Sequence, residues 1–220
     1  MIIISGCSFL ASKGGAIETR FADYDIKNYA SRGAGNDYIS ASIVDAVQNA
    51  TQKIDYAFVL WSGIMRYDIP IGSNIISLLG SDYSFKAPVG NSHYIHSGGI
   101  YGSWSRLAKS PYTEFVEMFY HEPNRAFYTD RTVNNMFIAK CVLESHNIPY
   151  DFGFIYDPHA PDGKQELSLG QAAYDISEHY NIKSAPMEFC IEHDMLRTDS
   201  YHPSPEGLLA WLNSIKLKID

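Results

Sequence analysis

The chain has 220 residues, 45% of them apolar and 19% charged, with a formal net charge of −8. This is a globular composition, and the length suits one α/β domain that buries its core without disulfides or a metal. The acidic balance argues against nucleic acid or an anionic membrane surface as partner. In chain order, Met1 to Gly6 is a continuous apolar run of the kind found in a parallel sheet covered on both faces. It lacks a basic n-region, so it reads as a strand and not as a signal peptide. Residues 9–24 are polar, with a loop or short helix expected. A second strand is expected near Ile26 to Ala30. After it, Asn36 or Asp37 is expected to cap a helix whose apolar positions include Ile39, Ile43, Val44 and Val47. Tyr56 to Trp61 is a third strand, completing a β-α-β unit.

From about 68 to 128 the pattern changes. Residues 83–128 hold eleven aromatics in 46, above the 14% of the whole chain. Such a stretch inside a single domain spanning 1–220 reads as an aromatic-rich insertion or lid. Tyr101, Trp104, Tyr94, His93 and His96 are its candidates for stacking on a sugar or closing over an acyl group, or for a small satellite core. Within it only Tyr112 to His121 has a helical pattern. A further helix is expected over Asp130 to Ser145, burying Val133, Phe137 and Cys141. A fourth strand over Tyr150 to Tyr156 follows, then a helix over 166–180. Met187 to Ile191 reads as a short strand or bridge. The alternation predicts a three-layer α/β/α sandwich with a central parallel sheet, whose sites form at the carboxyl ends of the strands. No apolar run approaches a membrane span. Cys7, Cys141 and Cys190 are odd in number and scattered, which points to a reducing, cytoplasmic setting. Asp157-x-His159 and His193-Asp194 lack the spacing of a metal site, so no metal is expected.

The chemistry lies near the two ends. Ser8 closes the first strand, and Asp199 and His202 stand three apart ahead of a well-marked helix. Ser204 suits its N-cap and Pro205 its first position, with Leu208, Trp211, Leu212 and Ile215 along one face. An imidazole and a carboxylate so held can serve as a general base and its orienting acid, with Ser8 as nucleophile. Cys7 is an alternative thiol nucleophile. Adjacent residues leaving a strand point in opposite directions, however, so with Ser8 in the site Cys7 faces the interior.

Gly6-Cys7-Ser8 and Asp199-x-x-His202-Pro203 resemble the Gly-Asp-Ser and Asp-x-x-His blocks of the SGNH (GDSL-type) hydrolases. The two blocks lie almost a whole chain apart. The resemblance implies the flavodoxin-like fold of that superfamily and a serine esterase acting on small acyl esters, for example O-acetyl groups, on a small molecule or a glycan. Catalysis would run through Ser8, His202 and Asp199 without a cofactor. The oxyanion hole would take the Ser8 N–H and a glycine N–H, Gly33 being preferred to Gly35. At the third block the expected Gly-x-Asn-Asp is replaced by Trp61-Ser62-Gly63-Ile64-Met65-Arg66. Ser62 offers a hydroxyl in place of the missing asparagine amide. Asn36 could swing in toward substrate, and Arg66 offers a charge for substrate or for structure. The missing asparagine also leaves open a catalytically silent domain that binds a glycan or protein partner, and the same residues would serve an acyltransferase.

Overall fold

A computed structural model describes residues 1–11, 15–64, 66, 68–71, 93–96, 125–157, 176–197 and 202–219. Its central sheet holds β1 (Ile2–Gly6), β2 (Ile26–Asn28), β3 (Tyr56–Trp61) and β6 (Tyr150–Phe154), all parallel, in the order β2-β1-β3-β6. Ile2, Ile3 and Ile4 and all of β3 are fully buried, as a sheet covered on both faces requires. Each such aliphatic side chain contributes roughly 1.5–3 kcal/mol.

The two covering layers can be read from alternate side chains. On one face Ser5 hydrogen-bonds Ser42 at 2.6 Å, so α2 (Asn36–Gln48) lies there, packed against α3 (Arg125–Ser145). On the other face Phe58 meets Phe21 and Trp211, just after α1 (Ala16–Arg20) and within α5 (Pro205–Ser214). Helix α4 (Pro186–Glu192) packs on α5. The protein is thus a three-layer α/β/α sandwich. A separate antiparallel pair joins β4 (Asp68–Ile71) to β5 (His93–His96). Far from the carboxyl edge, the buried Asp151 carboxylate accepts from Tyr56 Oη, the Asn181 amide and the Lys218 backbone N–H, tying the chain's end to the sheet.

Several expectations are corrected. Helix α2 is capped by neither Asn36 nor Asp37, which lie within its first turn; its N-cap is Gly35, with no side-chain bond of its own. The cap comes from Asp68, whose carboxylate accepts from Gly35 N at 2.9 Å and Tyr38 N at 2.7 Å. Helix α3 begins at Arg125, ahead of Asp130, and buries Tyr128, Thr132, Met136, Ala139 and Leu143. Phe137 is 57% exposed and Cys141 is also exposed, while Val133 is partly buried. The segment expected as a short strand is helix α4, with Pro186 at its start. Only Ile176–His179, a 3-10 turn, represents the helix expected over 166–180, and residues 166–175 lie outside the described set. So do Tyr101, Trp104 and the helix expected over Tyr112 to His121. Among the described residues no helix is long and apolar enough to cross a membrane.

Candidate active site

Parallel pairing aligns the strand ends and so builds one edge. Gly6 pairs with Leu60, and Trp61 with Phe154. Ser8 and Ser62 each follow a paired residue by two positions. Beyond β1 the chain turns sharply, with the N–H groups of Leu10 and Ala11 both donating to Cys7 O at 3.1 and 3.2 Å. The turn buries Cys7, Phe9 and Leu10 and leaves Ser8 half-buried. Cys7 is fully enclosed in the core, on the side away from solvent.

His202 is positioned by the start of α5. Ser204 Oγ accepts from Gly207 N at 3.0 Å, and Pro205 fills the first helical position. Upstream, Leu196 and Pro203 form an antiparallel bridge. Arg197 N donates to His202 O at 2.9 Å, and Ser204 N to Met195 O at 2.9 Å. Gly207 lies so close to Met195 that an added Cβ would fall 2.7 Å from its carbonyl oxygen. These contacts fix the backbone at His202 and Pro203 against residues 195–197. The His202 ring then packs edge-on against Phe9, with centroids 5.4 Å apart.

Ser8 Oγ and His202 Nε2 are 3.1 Å apart. With the ring hydrogen on Nδ1, Nε2 accepts the serine hydroxyl proton, which is the geometry of an activated nucleophile. The pair lies in a cleft of about 270 Å³ lined by Ser8, His202, Phe9, Pro203 and Leu208 together with two arginines, Arg32 and Arg197. Asp199 lies outside the described residues.

No protein-family model matches this chain, and no curated protein matches it.

The two candidate glycines have different surroundings. Gly35 N–H is committed to Asp68. Gly33 adopts φ 78°, which a side chain would strain, and no hydrogen bond among the described residues uses its N–H. Its neighbour Arg32 lines the cleft. Neither Gly33 nor Ser62 is among the residues that line the cleft; Ser62 is fully buried, and its Oγ has no partner among the described residues. Trp61 Nε1 and Arg66 Nη1 are orphaned in the same way, so unsatisfied polar atoms gather at the end of β3.

Asn36 is not brought to the cleft. It is 2% exposed, and its side chain accepts from Ser62 N at 2.9 Å while donating to Ser62 O at 3.3 Å and Thr132 Oγ1 at 3.1 Å. Arg66 does not line the cleft either. It stands near Tyr156, whose phenol burial pushes above its usual range against the pull of the Arg66 charge. Arg32 and Arg197 had no distinguishing mark in the sequence beyond nearness to Gly33 and His202. Among the described residues no three His, Cys, Asp or Glu side chains gather as a metal site would need.

Proposed function

We propose that this protein is a divergent serine esterase of the SGNH type, acting on small acyl esters such as O-acetyl groups. The observation that carries the reading is the 3.1 Å contact between Ser8 Oγ and His202 Nε2 across 194 residues of sequence. His202 takes the Ser8 proton as the oxygen attacks the ester carbonyl, and the carbonyl oxygen becomes an oxyanion. The N–H groups of Ser8 and Gly33 and the Ser62 hydroxyl stabilise that charge, each such donor being worth about 3 kcal/mol. Asp199 orients the imidazole. His202 then returns the proton to the leaving alkoxide, and an acyl-enzyme forms. Water, deprotonated by His202, attacks the acyl group, and Ser8 departs with the proton. No cofactor enters this cycle. The unpaired thiols of Cys7, Cys141 and Cys190 fit a cytoplasmic setting.

The test is turnover of a small chromogenic acetate ester together with labelling by a fluorophosphonate. Ser8→Ala should abolish labelling and lower turnover by roughly 10⁴-fold or more. Unchanged turnover and labelling in that variant would remove the mechanism. Product analysis with an added acceptor alcohol separates hydrolysis from acyl transfer.

A further inference from the structure

Resting on that esterase reading, we infer that the substrate is an anionic ester, with a carboxylate or phosphate close to the scissile carbonyl and held by Arg32 and Arg197. Both guanidinium-bearing residues line the cleft that contains Ser8 and His202, and they arrive from separate stretches of chain. Both are exposed, and neither side chain makes an ion pair or hydrogen bond among the described residues. Their stems are nevertheless fixed. Arg197 N donates to His202 O at 2.9 Å. Arg32 sits in a turn closed by Ala34 N to Ser31 O at 3.2 Å and anchored to β1 by Ser31 N to Gly6 O at 3.0 Å.

The charge balance makes this placement informative. The chain has 25 acidic residues against 17 lysines and arginines, so its overall field repels anions. Arg32 and Arg197, neither paired with a carboxylate among the described residues, place positive charge beside the nucleophile. Among the described residues no acidic side chain lines the cleft. A planar guanidinium fork matches carboxylate and phosphate oxygens in paired hydrogen bonds. Phe9, Pro203 and Leu208 supply the apolar wall for a short acyl chain, and about 270 Å³ suits a small ester.

The test measures binding and so does not depend on turnover. Ser8→Ala protein is titrated calorimetrically with monomethyl succinate, with its neutral dimethyl ester, and with an acetylated glycerol phosphate. At least one anionic ester should bind tenfold or more tightly than the neutral diester, with the advantage shrinking as salt rises. The better anionic ligand identifies carboxylate or phosphate as the group recognised. In a background of Arg32→Gln with Arg197→Gln the discrimination should fall to near one, and Arg→Lys replacements should restore part of it. Equal binding of neutral and anionic esters overturns the proposal, as does discrimination that survives the double substitution. Loss of the esterase reading shows separately, as wild-type protein that turns over no ester and takes no fluorophosphonate.

Discussion

Asn36 grips Ser62 by both backbone groups, accepting from its N–H at 2.9 Å and donating to its carbonyl at 3.3 Å. The first residue of α2 thus locks the first residue beyond β3, and Thr132 of α3 ties the same amide to a third element. Asn36→Ala should strand the buried polar groups of Ser62 and cost about 2–3 kcal/mol. Ser62→Ala removes a hydroxyl with no partner among the described residues and should cost under ~1 kcal/mol while lowering kcat at least ~10-fold. Urea titration beside steady-state kinetics separates the two. A Ser62→Ala protein with full turnover would deny the hydroxyl any part in the oxyanion hole.

The cap on α2 comes from 33 positions downstream of Gly35, through the fully buried Asp68 carboxylate. Asp37 in turn accepts from Asp68 N at 3.2 Å and pairs with Arg131 at 2.7 Å. Asp68→Ala therefore leaves two helix-start N–H groups without their acceptor and should destabilise the fold by about 2 kcal/mol. Thermal unfolding measures this directly. No loss in Tm would mean that the helix start finds another acceptor.

Gly207→Ala is expected to act on the site through α5. The new methyl would stand 2.7 Å from both Met195 Cβ and Met195 O, and backbone does not yield as a side-chain tip does. We expect about 1–3 kcal/mol of destabilisation. Fluorophosphonate labelling of Ser8 should slow as well, because the bond between Ser204 N and Met195 O also fixes the backbone beside His202. Normal labelling would show that the turn tolerates the shift.

Burial pushes the Cys190 thiol up to about 11, while Cys141 is exposed. A thiol reagent at pH 8 should therefore modify one cysteine in the native protein and three after denaturation. The linkage follows from the raised value. Below the unfolded thiol's pKa both states hold the proton, and no stability is lost. From about pH 9 to 11 the unfolded chain ionises first, so stability falls as pH rises. Cys190→Ala should flatten that alkaline slope in urea titrations. An unchanged slope would assign it to other groups, such as Tyr150, whose phenol is also pushed up by burial.

Local pattern alone determined a good deal of this protein. The runs at Ile2–Gly6 and Tyr56–Trp61 are strands because unbroken apolar sequence suits a sheet buried on both faces, and Ser204-Pro205 starts α5 because cap chemistry is local. Tertiary packing decided what local pattern leaves balanced. Helix α3 carries apolar residues on two sides, and contact with α2 selected Met136 and Leu143 over Phe137 and Cys141. A short apolar run such as 187–191 fits strand or helix equally, and it became α4 packed on α5. The Asp68 cap, the Asn36 clasp on Ser62 and the two arginines at the cleft are non-local contacts, which no periodicity encodes. The 3.1 Å meeting of Ser8 with His202 belongs to the same class: sequence supplied the two groups, and the parallel sheet with α5 packed on it brought them together.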